Sequence, residues 1–432
     1  MDKIDFKTLE MFSNQFNKDL AKNAISGNPL LKVVSSRNIL QKRSKVFSKK
    51  IKLETKKSNQ QSSGRCWMFA FLNVLKHQII KKYKLQPDFE FSQSYLFFWD
   101  KLEKANLFLY YIKNLKKEKL DSRLVEYLLR NPTNDGGQWN MLVNLVKKYG
   151  LVPKSVMNES YHSSHSKDLN DLLNNKLRDF AEKIRNEKTF NFEHAMQDIY
   201  NLLVIFLGEP PKEFLWEYED MKGKFHRFEK IKPKTFYEKF VPFKIEDYVI
   251  LVNAPMKSRP FHQLYDIKYF NNMVNGQLTN YINLPISELK KASEKSIEKN
   301  EPVFFGSDVG RNFNGKIGML DEDLFDLEKF FGFNFHMDKG QRLEYFMTEL
   351  NHAMMLKGFN KNGKINKWLV ENSWGESGEF EGDIVMSDKW FDENVFEVVV
   401  HKKYLNKKIK DILRQKPVML EPWDYFGGLM FL

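Results

Sequence analysis

The chain has 432 residues, of which 42% are hydrophobic, and its 69 lysines and arginines exceed its 56 acidic residues to give a formal charge of +13. This length is too great for one simple core and predicts two or three domains. The charge permits binding to nucleic acid through counterion release. However, lysines are spread along the whole chain and no nucleic-acid-binding motif accompanies them, so a solvated basic surface is favoured and nucleic acid is the weaker alternative.

Cysteine content and apolar runs bear on location. The single cysteine, Cys66, excludes an intrachain disulfide and favours a reducing compartment. The charged N-terminal sequence of residues 1–7 lacks the apolar region of a signal peptide. The longest apolar run, residues 202–207, is far shorter than the ~20 residues that span a bilayer. We therefore expect a cytoplasmic protein that does not associate with membranes.

The first chemically informative segment, residues 60–70, reads QQSSGRCWMFA and joins a loop of small residues to an apolar sequence with helical periodicity. Cys66 stands at the junction, so we predict that it lies in the first turn of a buried helix. The N-terminal end of a helix lowers a thiol pKa, and its free N–H groups can bind a developing oxyanion. Taken alone, however, a cysteine in a helix is more often inert packing.

Two later segments favour catalysis. His352 enters the apolar run 353–356, and Asn372 follows the apolar run 368–370. A thiol nucleophile needs a base that takes its proton and returns it to a leaving amine, and His352 suits that role. Asn372 can accept a hydrogen bond from the imidazole without adding charge, and Trp374 can shield that bond from water. The spacing of 20 residues (372 − 352) predicts two antiparallel strands joined by the turn 360–363.

Metal chemistry is not expected. None of the nine histidines forms an HExxH motif or a cluster with the single cysteine, and these are the patterns typical of protein zinc sites. We therefore expect no metal and no other cofactor.

These motifs resemble the papain superfamily of cysteine peptidases, and their order resembles one branch of it, the bleomycin hydrolases and bacterial aminopeptidases C. The resemblance runs from about residue 50 to the C-terminus. It rests on the segments SSGRCW (62–67), NDGGQW (134–139), YGLVPK (149–154), WEYE (216–219), FGSDVG (305–310), HAM (352–354), VENSWG (370–375), WFDENVFEVVV (390–400) and PWD (422–424). It implies an α+β, papain-like fold, with a helical half, a β-rich half and a large, mainly helical insertion.

The domain boundaries follow from the spacing of the motifs. In papain-like enzymes the histidine follows the cysteine by ~130–150 residues, whereas here the separation is 286 (352 − 66). We therefore predict an N-terminal arm over 1–55, the helical half over 56–160, a helical insertion over 161–285, and the β-rich half with the C-terminal tail over 286–432. By resemblance, the insertion is an oligomerisation arm and the protein is a homohexamer whose active sites face an internal cavity.

The resemblance also assigns roles to site residues. It makes Cys66 the nucleophile, His352 the general base and acid, and Asn372 the residue that orients the imidazole. Gln60 resembles the glutamine whose amide completes the oxyanion hole with the Cys66 N–H, although the adjacent Gln61 can be excluded only by geometry.

The Gly136-Gly137 pair resembles the segment that binds the substrate backbone, where a Cβ would block close approach. An ordinary turn is the alternative interpretation of these two glycines.

The C-terminal tail departs from the family pattern. By resemblance, the terminal carboxylate, here that of Leu432, binds the free amine of the substrate and makes the enzyme an aminopeptidase, with hydrolysis of bleomycin as a further activity. This tail is about two residues longer and ends in apolar residues. It can be trimmed, fold back with the carboxylate in register, or occlude the cleft. The last outcome favours an endopeptidase or oligopeptidase as the alternative function, and a nucleic-acid-binding scaffold is more distant.

Overall fold

The N-terminal arm consists of short helices and one edge strand. The computed structural model of the protein describes residues 6–14, 18–41, 44–242 and 244–431. Within them the arm contains α1 (Phe6–Asn14), α2 (Asp19–Ser26), α3 (Leu30–Val33), α4 (Arg37–Gln41) and β1 (Lys49–Lys50). The Ser36 N–H donates to the Leu324 carbonyl at 2.9 Å, and Ser35 pairs with Phe325. The arm therefore packs on a later part of the chain.

The helical half is built around one helix that is buried over most of its length. It contains α5 (Cys66–Tyr83), α6 (Gln93–Asn114), α7 (Arg123–Arg130) and α8 (Trp139–Tyr149). Apolar side chains occupy most positions of α5 between Cys66 and Ile80, so this helix is surrounded by other elements. α5 begins at Cys66, as predicted, and ends where Lys84 adopts the left-handed conformation with φ 53°. Among the described residues, no helix has the length and apolar character to cross a membrane.

The segment that follows combines helices with a hairpin. It contains α9 (Tyr161–Ser164), α10 (Lys167–Asn186), α11 (Phe192–Leu207), β2 (Phe214–Glu219), β3 (Phe225–Ile231) and α12 (Pro233–Phe240). α10 contacts α6 through a buried stripe spaced by three or four residues, namely Leu169, Leu173, Leu177, Phe180 and Ile184. β2 and β3 pair antiparallel, with Trp216 opposite Phe228. The first part of the predicted insertion is therefore mainly helical and also contains a β-hairpin.

The β-rich half is one large sheet. Its later strands are β4 (Tyr248–Val252), β5 (Gln263–Ile267), β6 (Tyr281–Asn283), β7 (Val303–Ser307), β8 (Phe313–Asn314), β9 (Met319–Leu320), β10 (His352–Asn362), β11 (Lys364–Glu371), β12 (Asp383–Ser387), β13 (Val395–His401) and β14 (Val418–Leu420). Within the described residues the order is β14-β5-β6-β4-β13-β7-β10-β11-β12-β9-β8, with β1 also paired to β10. β10 and β11 are antiparallel and turn at Gly363, as predicted.

The expected extent of the insertion differs from the structure. Residues 248–283, placed in the helical insertion by sequence, contribute β4, β5 and β6 to the main sheet, where β4 pairs with β13. The four hydrophobic residues and the tyrosine of β4 are all buried, and a short continuous apolar run of this kind cannot be distinguished from a buried helical segment by periodicity. The sheet therefore begins about 40 residues earlier than the predicted boundary at 285.

Helices cover both faces of the sheet. α5 packs against β10 and β7 on one face, and α13 (Ile286–Glu298) packs against β13 and β10 within a second hydrophobic core. The remaining helices are α14 (Leu327–Phe331), α15 (Lys339–Glu344), α16 (Asp388–Asn394) and α17 (Lys407–Ile412), with 3-10 turns at Ile245–Asp247, Lys402–Tyr404 and Tyr425–Phe431. The strand ends that carry His352 and Asn372 therefore lie at the junction with the helical half.

A buried cluster of charged side chains from both halves lies next to that junction. Lys57 Nζ lies 2.7 Å from Glu371 and 2.8 Å from Asp383, and Lys357 Nζ lies 2.8 Å from Asp383. Lys76 on α5 lies 3.7 Å from Glu371. Burial alone raises the pKa of Glu371, but the surrounding lysines outweigh burial and lower that pKa to about 2.

We predict that Glu371→Gln lowers the free energy of unfolding at pH 7 by about 3 kcal/mol, because it leaves buried lysines without their counterion. Since the folded-state pKa is depressed, the contribution of Glu371 is fully present above its ordinary pKa of 4.5 and is lost as the pH falls through about 2. Unfolding measured between these pH values should therefore depend less on pH in the variant. The exposed Glu229, paired with Arg227, is the control, since Glu229→Gln should change stability by less than about 1 kcal/mol. Equal losses in both variants would show that the buried charge cluster does not stabilise the junction.

Candidate active site

Cys66 lies against the beginning of β10. The backbone N–H of Ala353 donates to Cys66 Sγ at 3.4 Å, which brings the thiol next to the backbone of the residue after His352. Both side chains are buried, with 1% of Cys66 and 5% of His352 exposed. The fold therefore brings together two residues that are 286 positions apart (352 − 66).

His352 is oriented by Asn372. His352 Nε2 lies 2.8 Å from Asn372 Oδ1, which also accepts the Ser373 N–H at 2.7 Å. The Ser373 bond fixes which end of the amide faces the imidazole, and because an oxygen cannot donate, the ring proton lies on Nε2. Nδ1 is then left as the acceptor of a neutral imidazole. The Trp374 ring covers the imidazole, with centroids 5.1 Å apart.

Burial keeps the thiol and the imidazole neutral when each is considered alone. It raises the pKa of Cys66 to about 12, although the N–H groups of Ala353, Trp67 and Cys66 itself act in the opposite direction. It lowers the pKa of His352 to about 4, although the bond to Asn372 opposes this. The lowered thiol pKa predicted from the helix N-terminus is therefore wrong for the isolated thiol, because burial outweighs the helix. A thiolate and an imidazolium formed together stabilise each other, so proton transfer within the pair is the favourable route to the nucleophile.

Gln60 is buried close to the nucleophile, whereas Gln61 is exposed. Gln60 Nε2 donates to the Ser63 carbonyl at 2.7 Å, and Gln60 Oε1 accepts from Ser373 Oγ at 2.6 Å. The Ser373 hydroxyl therefore fixes the orientation of the amide and keeps the NH₂ group on the side of the loop that leads to Cys66. The second hydrogen of that NH₂ group is available to an oxyanion.

The glycine pair has two different environments. The Gly136 carbonyl accepts from Lys104 Nζ at 2.6 Å. A Cβ on Gly137 would lie 2.7 Å from the Trp67 ring, so contact with this indole requires glycine whether or not a substrate is bound. Among the described residues, neither the N–H nor the carbonyl of Gly137 has a hydrogen-bond partner, which leaves both available to an extended peptide.

The C-terminal tail is anchored at its beginning. The Arg123 guanidinium lies 3.9 Å from the centre of the Trp423 ring, and Tyr127 packs on the edge of the same ring. The next residue, Asp424, forms a salt bridge with Arg259. These contacts hold the tail against α7 and the loop before β5.

Further along, the tail reaches the segment that precedes His352. Phe426 is buried beside Tyr281. A Cβ on Gly428 would lie 2.4 Å from the Leu350 carbonyl oxygen, so glycine allows the tail to pass two residues before His352. Leu432, the predicted substrate-binding residue, lies outside the described residues.

Two residues near the site were not predicted from sequence to have a role. Ser373 orients Gln60, and Asp135 accepts the Gly64 N–H at 3.1 Å. Both stand inside motifs that were recognised, since Ser373 follows Asn372 and Asp135 precedes the glycine pair. Their roles depend on partners that are distant in sequence. In the part of the chain that is described, no three histidine, cysteine, aspartate or glutamate side chains are grouped as metal ligands.

A cysteine at the start of a buried helix, facing a histidine and an asparagine on neighbouring strands, defines the papain-like class of thiol hydrolases. A model of the Peptidase C1-like family matches residues 3–427. The chain belongs to this family.

Relatives span nearly the whole chain. Aminopeptidase C of Listeria monocytogenes is 44% identical and covers 99% of each chain. Bleomycin hydrolase of Homo sapiens is 41% identical over 95% of this chain and 94% of its own. The crystal structure of PepW from Lactobacillus rhamnosis is 38% identical, with a TM-score of 0.95 and coverage of 98% of each chain. The α+β, papain-like fold expected from sequence is therefore confirmed.

We predict that His352→Gln slows alkylation of Cys66 by iodoacetamide at pH 7 by about 100-fold or more, because the thiol loses its proton acceptor and burial disfavours a lone thiolate. Incorporation of label, measured by mass spectrometry, reports Cys66 alone, since it is the single cysteine. His194, which is exposed, supplies the control variant His194→Gln, and its alkylation rate should match the wild type. Equal rates for wild type and His352→Gln at pH 7 would show that His352 does not activate the thiol.

Proposed function

We propose that the protein is a cysteine aminopeptidase that removes N-terminal residues from peptides through an acyl-enzyme intermediate. Two lines of support lead to this proposal. The first is the arrangement of Cys66, His352 and Asn372 described above. The second is that relatives covering nearly the whole chain are named aminopeptidase C and bleomycin hydrolase.

In the acylation half-reaction, the Cys66 proton passes to Nδ1 of His352 and the sulfur attacks the carbonyl carbon of the first peptide bond. The negative charge that develops on the carbonyl oxygen is stabilised by the Cys66 N–H and Gln60 Nε2. Each donor of this kind contributes about 10²–10³ in kcat. The tetrahedral intermediate collapses to a thioester, and His352 returns its proton to the leaving amine.

In the deacylation half-reaction, a water molecule takes the place of the leaving amine. His352 removes a proton from the water as it attacks the thioester carbonyl, the same two donors stabilise the oxyanion, and the thiolate leaves and is reprotonated by His352. Asn372 keeps the ring in one orientation through both steps, so the imidazole can alternate between base and acid without rotating.

The position of the C-terminal tail supports exopeptidase action. Gly428 packs on the Leu350 carbonyl, two residues before His352, and the 3-10 turn Tyr425–Phe431 advances by about 2 Å per residue. The described part of the tail therefore passes close to the catalytic histidine. A carboxylate there is a charge partner for the ammonium group of a free peptide N-terminus, and the tail limits the room for residues that precede it.

The longer tail favours endopeptidase or oligopeptidase action as the second candidate. Two extra residues in an extended conformation would displace the carboxylate by up to ~7 Å. The carboxylate would then no longer pair with the ammonium group of the substrate. The same catalytic residues would then cleave internal bonds. Hydrolysis of the bleomycin amide is a further activity that either form of the enzyme could carry out.

We predict that the full-length enzyme shortens an unblocked decapeptide one residue at a time and leaves its N-acetylated twin intact, because acetylation removes the ammonium that the tail binds. Mass spectrometry of both digests over time is the measurement. Cys66→Ser is the matched control, and it should abolish hydrolysis of the unblocked peptide while preserving the fold. Retained hydrolysis in Cys66→Ser would refute the mechanism.

Internal cleavage of both peptides would assign the enzyme to the endopeptidases. A variant ending at Gly428 separates the contribution of the tail from that of the catalytic residues. If the tail anchors the substrate amine, this variant should cleave the acetylated peptide internally at a rate comparable to its action on the free one. A variant that continued to require a free N-terminus would contradict the role of the tail.

We also propose a cytoplasmic homohexamer. Support comes from exposed apolar residues on the segment expected to form the oligomerisation arm, including Ile205, which is 82% exposed, Tyr161 at 69% and Phe225 at 61%. Exposed apolar surface of this kind is typical of interfaces. A hexamer with inward-facing sites would restrict access to short or unfolded peptides.

For a homohexamer we expect a sedimenting mass of six times the chain mass of 51.5 kDa. Sedimentation velocity across a tenfold range of concentration is the measurement, and Ile205→Asp should shift the distribution to smaller species because it buries a charge at the interface. A wild-type mass of one chain at all concentrations would rule out the assembly.

A further inference from the structure

The loop that leads into Cys66 is held by residues 159–170, the segment that enters the insertion. Ser62 forms a bridge with His165. Arg65, immediately before the nucleophile, pairs with Glu159, and the Gly64 N–H is bound by Asp135, which the same segment also contacts. Glu159 stands at the end of the predicted helical half, and Ser166 and Asn170 lie in the first residues of the predicted insertion. The loop before Cys66 therefore rests on residues 159–170, where the chain enters the insertion.

The first connection is an ion pair. The Arg65 side chain is fully buried between the rings of Phe69 and Phe97, each 5.1 Å from its guanidinium carbon. Its two terminal nitrogens reach both oxygens of Glu159, at 2.8 and 3.2 Å. Its Nε donates to Ser63 Oγ at 2.9 Å. A fully buried guanidinium requires such a counterion, because breaking a buried pair is strongly unfavourable.

This ion pair connects to the expected oxyanion donor. Ser63 Oγ donates to the Gln60 carbonyl at 2.7 Å, and the Ser63 carbonyl accepts from Gln60 Nε2 at 2.7 Å. A continuous series of polar contacts therefore runs from Glu159 through Arg65 and Ser63 to the amide of Gln60. These contacts link the position of Glu159 to that of the Gln60 side chain, whereas Cys66 packs with the buried side chains of α5.

The second connection runs through Asp135. Its carboxylate accepts the Gly64 N–H, pairs with Lys101 Nζ at 2.7 Å, and accepts hydrogen bonds from the side chains of Ser166 and Asn170, the latter at 2.8 Å. Burial alone raises the pKa of Asp135, but Lys101 and the hydrogen bonds outweigh burial and lower it well below its usual range. The carboxylate is therefore charged at neutral pH and binds the loop and the insertion at the same time.

From this geometry we infer that Glu159 and Asp135 are positioning residues, through which residues 159–170, at the entry to the insertion, set the position of the oxyanion-binding loop. The inference rests on the proposed peptidase function. Its physical basis is that hydrolysis of an amide needs the oxyanion donors at a defined distance from the carbonyl oxygen, whereas alkylation of the thiol by iodoacetamide forms no oxyanion. A disturbed loop should therefore affect hydrolysis and spare alkylation.

The test compares these two reactions in Glu159→Gln. We expect kcat for hydrolysis of an unblocked peptide to fall by about 10- to 100-fold, as for misplacement of a catalytic group by about 1 Å. KM should change by less than about 3-fold and the alkylation rate of Cys66 by less than about 2-fold, because the substrate-binding backbone and the Cys66–His352 pair are untouched. Rates are divided by the fraction of folded enzyme, measured from thermal melting.

A second variant tests the inference if Glu159→Gln folds poorly, and a third variant is the control. Asn170→Ala removes one hydrogen bond to Asp135 and keeps the Lys101 ion pair, so it should lower kcat in the same selective way by about 3- to 10-fold. Asp198→Asn removes a carboxylate of the insertion that pairs with Lys176 at 3.5 Å and does not contact the loop. It should leave both reactions unchanged.

The outcomes separate the inference from the proposed function. Unchanged kcat in folded Glu159→Gln and Asn170→Ala, or an equal loss of hydrolysis and alkylation, would overturn the positioning role. Wild-type enzyme that is alkylated normally and hydrolyses no peptide would instead overturn the proposed function. Selective loss of hydrolysis in both variants, with Asp198→Asn unaffected, would establish that the insertion controls the oxyanion loop.

Discussion

The hydrogen bond between His352 Nε2 and Asn372 Oδ1 is the interaction on which the rest of the site depends. It holds the ring proton on Nε2 and leaves Nδ1 as the acceptor of the neutral imidazole. β10 and β11 are antiparallel with Met355 opposite Glu371, so His352 and Asn372 lie close together just beyond the last paired residues. The Ser373 N–H then prevents the amide from turning. The orientation of the imidazole therefore depends on the pairing of these two strands.

Burial determines how the Cys66 thiol and the His352 imidazole ionise. A thiol with a pKa of about 12 and an imidazole with a pKa of about 4 do not ionise separately near neutrality, so charge appears only when the proton moves from one to the other. The buried charge cluster around Glu371, which directly precedes Asn372, stabilises the same junction between the two halves. Asn372, which accepts a hydrogen bond from His352, therefore directly follows Glu371, whose charge stabilises the contact between the two halves. Adjacent residues thus contribute to the geometry of the site and to the stability of the fold.

Sequence alone identified much of this site because the relevant patterns are local. The start of α5 at Cys66 and the strands on either side of Gly363 follow from short motifs, whereas the burial of Gln60 and the exposure of Gln61 are seen only in the structure. What sequence could not supply are effects that depend on distant partners. The raised thiol pKa comes from burial by elements far along the chain, and the bond from Ser373 to Gln60 joins residues 313 positions apart. β4 was assigned to the insertion because a buried strand of five residues carries no distinguishing periodicity.

The insertion makes more contacts with the papain-like core than assembly alone would require. A segment added to a papain-like fold for assembly alone would need to touch only its neighbours in the helical half, as α10 does through α6. Here residues 159–170 also contact the loop before Cys66, through Glu159, which pairs with Arg65, and through Ser166 and Asn170, which donate to Asp135. Removing the segment would leave Arg65 buried without its carboxylate partner and would take two hydrogen-bond donors from Asp135, which binds the Gly64 N–H. The loop before Cys66 is therefore held in part by the entry to the insertion, and under the proposed positioning role that segment belongs to the active-site scaffold.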